Sequence, residues 1–288
     1  MLITIDEFQK KYNLSDSDIP SYDDETKRII TEVLNGNIDK HANSKNSTVL
    51  FYIGKYYNNV KKDESSTEKY YLMAIEHGNI SAMNNLGLLY RKQNKLELAK
   101  KYYLMAIAHD NSNQRLRSTC AIYNLGFLYD VQHDLDSAEK YYLMTVENGN
   151  NHPCAMNNLG QLYKRQNKFD LAEKYYLMAI ENGNLKAMKN LGHLYDAQNK
   201  FDLAIKYYLK VLSFDANVIS KIITIIPKVS QEIQLQVLEL VPQIRTMNEI
   251  LHIPPTVYFQ FMNKTIKISR WLARYLIDDI VDICLDYY

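Results

Sequence analysis

The sequence predicts an all-α chain, a solenoid of about five helical hairpins with helical caps at both ends. Three observations carry that reading. Two short strings recur along the chain at a nearly fixed period, their apolar residues follow helical spacing, and short polar turns separate them.

The first string reads VLFYIGKYY from Val49, AMNNLGLLY from Ala82, AIYNLGFLY from Ala121, AMNNLGQLY from Ala155 and AMKNLGHLY from Ala187. Its glycines, Gly54, Gly87, Gly126, Gly160 and Gly192, are separated by 33, 39, 34 and 32 residues. The second string, KYY, starts at Lys69, Lys101, Lys140, Lys174 and Lys206. Within the first, Met83, Leu86, Gly87 and Tyr90 lie at i, i+3, i+4 and i+7, one face of a helix A. Leu96, Ala99, Tyr103, Ala106 and Ile107 hold helical spacing in a helix B, and the same slots recur as Phe169, Ala172, Tyr176, Ala179 and Ile180.

RKQNK, and KRQNK from Lys164, form the polar turn inside a hairpin. Gly78, Gly149 and Gly183 stand where a helix needs a residue tolerant of the left-handed conformation in order to stop. Gly87 and Ala99 are small enough to let the two helices of a hairpin approach, with Tyr90 and Tyr103 filling the space around them.

The resulting organisation is an N-terminal helical cap over 1–47, five repeats over 48–212 (about 48–79, 80–111, 119–150, 153–184 and 185–216), and a helical C-terminal segment over 213–288. In the cap, Thr4-Ile5-Asp6-Glu7 reads as a capping box, and a second helix runs from Asp23 to Leu34, stopped at Gly36. After Leu212, helices over Asn217–Ile226 and Gln231–Leu240 end at Pro227 and Pro242, and a last amphipathic helix begins near Lys267. These are read as degenerate repeats or a C-terminal cap. The string HDNSNQRLRST from His109 accounts for a surplus of 7 residues between Gly87 and Gly126 and is expected as a longer loop on one edge.

The order Leu86, Gly87, Tyr90, Ala99, Tyr103, Ala106 resembles the tetratricopeptide repeat, and the resemblance covers roughly Thr48 to Leu212. The exit Gly78-Asn79-Ile80-Ser81-Ala82 is similar to the Sel1-like branch, although the Gly-x-Gly-Val insertion typical of that branch is missing. The KYYLMAI style and the richness in Asn, Lys, Ile and Tyr are similar to repeat proteins of giant viruses. The resemblance implies a right-handed superhelix whose helices A line a concave groove that holds a protein or peptide.

Chemistry is not expected. No phosphate cradle, zinc-protease helix or nucleophile elbow is present as a motif, so neither a catalytic role nor a cofactor or metal is assigned. His77, His109 and His152 are expected to cap the last carbonyls of helices B, and His152-Pro153-Cys154 reads as a turn. With 34 basic and 33 acidic side chains there is no global pull toward nucleic acid or an anionic membrane. Cys120, Cys154 and Cys284 form no CxxC pair, and the acidic N-terminus lacks the pattern of a leader. A cytoplasmic, non-secreted protein without membrane segments is therefore expected.

By the resemblance, the groove slots are Phe51 and Lys55 in the first repeat, Asn84, Leu88, Arg91 and Lys92 in the second, and Tyr123 and Phe127 in the third. Asn157, Gln161, Lys164 and Arg165 follow in the fourth, and Lys189 and His193 in the fifth. Aromatic anchors between basic flanks suit a peptide or protein partner carrying acidic residues. The family's carboxylate clamp is not matched, since Phe51 and Lys55, or Asn84 and Leu88 one repeat on, occupy its first slots. The functional expectation is a non-catalytic scaffold or adaptor. The alternatives are a self-associating structural protein, a homo-oligomer using a terminal helix with Trp271, Leu272, Tyr275 and Leu276, or an enzyme with a site in the C-terminal segment.

Overall fold

The computed structural model describes residues 23–110, 118–148, 152–212 and 215–230, with isolated positions among 6–10 and 232–237. The capping box opening at Thr4, the stop at Gly149, the insertion over 111–117, most of the helix expected over 231–240, and everything after it, including Trp271, Leu272, Tyr275 and Leu276, lie outside the described residues.

Among the described residues every regular element is a helix. The chain divides into two compact units, Met1–Leu159 and Gly160–Tyr288. The first holds α1 (Asp24–Leu34), α2 (Ser47–Tyr56), α3 (Glu64–Glu76), α4 (Ile80–Lys92), α5 (Leu96–His109), α6 (Thr119–Val131), α7 (Leu135–Glu147) and the start of α8 (Pro153–Arg165). The second holds the rest of α8, then α9 (Phe169–Glu181), α10 (Leu185–Ala197), α11 (Phe201–Val211) and the short α12 (Ile219–Ile225). Even-numbered helices from α2 to α10 are the helices A and odd-numbered ones from α3 to α11 the helices B, so consecutive pairs form hairpins.

The sequence starts and stops these helices by local chemistry. The side chains of Asp23, Asn46, Asp63, Asn79, Asp134 and Asn184 accept backbone amides in the first turns of α1, α2, α3, α4, α7 and α10. Each helix A ends on a residue in the left-handed conformation, Lys62, Asn94, His133, Asn167 or Asn199. In four of the five, the following amide closes a six-residue turn onto a tyrosine carbonyl, as in Lys95 to Tyr90 at 2.8 Å. Asparagine adopts this conformation at low cost, which explains its recurrence in RKQNK.

The hairpin cores follow the expected faces. In α4, Ala82, Met83, Leu86, Gly87, Leu89 and Tyr90 are buried, and in α5, Ala99, Tyr103 and Ala106. The second tyrosine of each KYY lies against the glycine of its own helix A. The first stacks on the tyrosine three residues after that glycine, as in Tyr90–Tyr102 at 5.5 Å and Tyr129–Tyr141 at 5.6 Å in the first unit, and Tyr163–Tyr175 at 5.4 Å in the second.

One hairpin departs from the pattern. Eight residues separate Gly54 from Lys62, against seven between Gly87 and Asn94. The extra residue is taken up by a π-helical turn, Tyr57–Lys61, that extends α2.

Candidate protein-binding surface

The face examined by the repeat pattern is the one helices A present away from their helices B, and each unit carries its own part of it.

In the first unit, the first-repeat slots are not open. Phe51 is 1% and Lys55 2% exposed. This corrects the expectation for both: α1 packs on α2, with Ile30, Val33 and Leu34 buried in the same core, and covers the face that later repeats leave uncovered. The Phe51 ring stacks on Tyr71 at 5.8 Å, and the Lys55 ammonium lies 4.7 Å from the Phe51 centroid, so the long side chain is packed into the core with its charge against aromatic faces.

Asn84 is also buried. Its Oδ1 accepts a 2.9 Å hydrogen bond from Nδ2 of Asn124, two residues before the next glycine. A homologous bridge joins the following repeat, where Nδ2 of Asn158 donates to the hydroxyls of Tyr123, at 3.2 Å, and Tyr142, at 3.1 Å. The slot three residues before a glycine is thus tied to the asparagine two residues before the next one. These asparagines, absent from the expected site, belong to a position that recurs as Asn85, Asn124, Asn158 and Asn190, although Asn85 instead donates to the Ser81 carbonyl of its own helix at 2.8 Å.

The remaining slots separate. Lys92 turns to the preceding helix B, with Nζ 2.8 Å from Glu64 Oε1, while Leu88 packs half-buried against the core. Arg91 places its guanidinium 4.8 Å from the centroid of Phe127. Tyr123 is half-buried, its ring 4.6 Å from the imidazole of His152, and burial pushes its hydroxyl above the ordinary tyrosine range. Asp130 Oδ2 accepts from the Tyr142 hydroxyl at 3.3 Å. Arg91, Tyr123, Phe127 and Asp130 together give this unit a face with a cation stacked on an aromatic ring and a carboxylate nearby.

His152 does not cap a helix B as expected. Its Nδ1 accepts the amide of Ala155 at 3.2 Å and so caps the start of α8, with Pro153 in the first helical position where no amide is needed. Burial holds its imidazole below the usual range, in keeping with an acceptor nitrogen. His77 and His109 remain exposed at the ends of α3 and α5. Asn157, in the same helix as Cys154, is buried at 6% exposure.

In the second unit, Gln161 and Arg165 are exposed and Lys164 is half-buried. Lys189 Nζ pairs with Asp215 Oδ2 at 2.7 Å. His193 Nδ1 lies 2.7 Å from the Tyr208 hydroxyl, and burial, reinforced by the positive charges of Lys164, Lys221 and Lys189, lowers its basicity. Lys221 and Asp215 were not anticipated, because they follow the last recognisable string.

Among the described residues, no cluster of three or more His, Cys, Asp and Glu side chains could hold a metal ion, and no helix is long and apolar enough to cross a membrane. Cys120 and Cys154 form no disulfide with one another or with any other described residue.

Comparison with known proteins agrees with this architecture. The tetratricopeptide repeat family matches residues 80–113 and 157–218. No curated protein matches the chain in sequence. Among solved structures, the fold is similar to that of pilF from Pseudomonas aeruginosa, with TM-score 0.54 and 17% identity over 65% of this chain and 90% of that one. It is also similar to PilW, a type IV pilus biogenesis factor, with TM-score 0.53 and 16% identity over 65% and 90%. The C-terminal part of a TPR repeat-containing protein from Cytophaga hutchinsonii gives TM-score 0.54 and 14% identity over 80% and 96%. The described helices thus form a tetratricopeptide-like repeat fold, with the repeat itself matched over 80–113 and 157–218, and these repeats support a role as a protein-interaction scaffold.

Proposed function

We propose that the protein is a non-catalytic, intracellular adaptor that binds a protein or peptide partner on the exposed face of its helices A, the groove of the repeat class. The observation that carries this reading is the Arg91–Phe127 stack at 4.8 Å beside half-buried Tyr123. A planar cation on an aromatic floor is the residue chemistry that dominates binding hot spots, and the stack holds Arg91 ready with little side-chain entropy left to lose. The partner segment is expected to pair an acidic residue with Arg91 and set an apolar one against Phe127. Gln161, Lys164, Arg165, Lys189 and His193 are proposed as the contacts of the second unit.

The test is capture of partners from the native cell by the full chain and by an Arg91→Glu/Phe127→Ala variant whose helical content matches the parent. A partner held by the parent and lost by the folded variant supports the reading. Equal recovery by both removes the helix A face of the first unit as the binding surface.

A further inference from the structure

The helices B carry a second pattern, on the stripe each one turns to solvent. A shallow hollow lies over α9, floored by Leu177 and Met178 and rimmed by Lys174 and Glu181. In the other unit α3 repeats it in the same register, with Leu72 and Met73 between Lys69 and Glu76. α7 places Lys140, Leu143, Met144 and Glu147 at the same spacing, with Met144 36% exposed. In all three copies the lysine and the glutamate are exposed and the apolar pair between them is only partly covered. Each lysine stands over the tyrosine that follows it, 5.4 Å from the centroid of Tyr70 and 5.6 Å from those of Tyr141 and Tyr175. The two other helices B depart from the pattern: Ala108 takes the acidic slot in α5, and Lys210 the methionine slot in α11.

These charges are not used inside the fold. Lysine and glutamate stand about 10.5 Å apart along the helix axis, too far to pair with each other, and none of the six makes an ion pair among the described residues. Glu76, Glu147 and Glu181 are also the last residues of their helices, with no basic residue in the last turn, so each carboxylate sits at the negative end of its helix dipole. A local rule broken at the same slot in three helices points to a role outside the hairpin. The neighbouring carboxylates Glu68 and Glu173, by contrast, are taken up by the fold, accepting from the Tyr90 and Tyr195 hydroxyls at 2.7 and 2.8 Å. The stripe carries both signs equally, so a uniformly basic or acidic segment laid on it would meet a like charge at one end. Its complement is its own reverse. Turned end for end on a second copy, it sets lysine against glutamate at both ends and leucine against methionine at the centre, whereas a parallel copy sets like charges together. Self-complementarity about a two-fold axis is what an isologous contact requires.

We infer that the outer stripes of α3, α7 and α9 dock a second copy of this chain, antiparallel stripe on stripe, with the lysines of each copy on the glutamates of the other. One stripe covers far less than the roughly 1,200–2,000 Å² of a stable interface, so the association is reversible and concentration-dependent. It uses the helices B and is independent of the reading of the helix A face.

The experiment is sedimentation velocity of the full chain from about 1 μM to about 1 mM, where monomer is expected to give way to dimer. Two variants reverse one sign each: Lys69→Glu/Lys140→Glu/Lys174→Glu and Glu76→Lys/Glu147→Lys/Glu181→Lys. Either one alone is expected to dimerise about tenfold more weakly than the parent, because like charges then meet at both ends of the stripe. Mixed in equal amounts, the two are expected to regain the parental affinity as a heterodimer, since every lysine again faces a glutamate. Rescue on mixing excludes unfolding as the cause of the loss. A parent that stays monomeric over the whole range overturns the proposal. So do variants that each dimerise as well as the parent, and a mixture that stays as weak as its components. Arg91 and Phe127 are unchanged in both variants, so partner capture by the helix A face is read separately and can stand when self-association fails.

Discussion

Gly87 and Tyr103 occupy one space: a Cβ on Gly87 would fall 2.5 Å from Cε1 and 2.7 Å from Cδ1 of the tyrosine ring. Gly54 and Tyr71 repeat the relationship at 2.5 Å, Gly160 and Tyr176 at 2.5 Å, and Gly192 and Tyr208 at 2.6 Å, whereas Gly126 stands off Tyr142 at 3.0 Å. The ring is the middle of a buried side chain, so it has nowhere to retreat. Gly87→Ala is expected to cost about 1–3 kcal/mol by overpacking, and Gly126→Ala clearly less. Thermal unfolding of the two variants checks this, and equal losses would show that the glycines are kept for some reason other than the ring.

The Asn124–Asn84 bond predicts coupling between repeats. Each Asn→Ala change removes one partner and strands the other amide in a buried site, at about 1–3 kcal/mol. Once one is gone, removing the second should cost little. A double-mutant cycle in urea measures this coupling, and losses that simply add would mean the two amides do not support each other.

The hairpins, the glycine–tyrosine contact and the stop glycines Gly78 and Gly183 are legible in the sequence because they obey a local period: the residues that touch are those the 3.6-residue repeat aligns. The site is less legible because its residues are decided by neighbours that the period does not contain. Phe51 shares its slot with Tyr123, and Lys55 its slot with Leu88 and Phe127, yet α1, which carries no repeat string, covers both. Asn84 looks like an open polar slot until Asn124 of the next repeat is placed beside it. Lys92 looks like half of a basic pair until Glu64 draws it aside, and Lys221 carries no signature at all.

The cap made by His152 gives α8 a pH dependence. Nδ1 can accept the Ala155 amide only while it is unprotonated, and burial already lowers the imidazole below the ordinary histidine range. A depressed histidine stabilises fully above its unfolded value and loses that contribution as pH falls through the folded one. Stability should therefore fall as pH drops below about 6.5. His152→Asn keeps a good capping oxygen and has no proton to gain, so its melting temperature should fall less between pH 7 and 5 than that of the parent. Losing the Tyr123 stack lowers the variant at every pH alike, so the slope is the readout, and parallel slopes would dismiss the cap as the origin.

The π-helical turn at Tyr57–Lys61 makes the last prediction. If it exists to absorb the one residue by which this hairpin exceeds the others, deleting Asn59 should give the seven-residue spacing found between Gly87 and Asn94 and let α2 continue as an ordinary α-helix into its left-handed stop. The register of α3 against α2 would be preserved, with Tyr71 still over Gly54. Deleting Gln93 from the corresponding stretch of α4 has the opposite effect. No surplus is available there, so α5 must rotate by about 100° per lost residue relative to its hairpin partner, which carries Tyr103 away from Gly87. Circular dichroism of the two deletions should show near-parental melting for the first and a large drop for the second. If instead the Asn59 deletion unfolds the N-terminal hairpin, the turn holds the chain in a conformation that the hairpin itself requires.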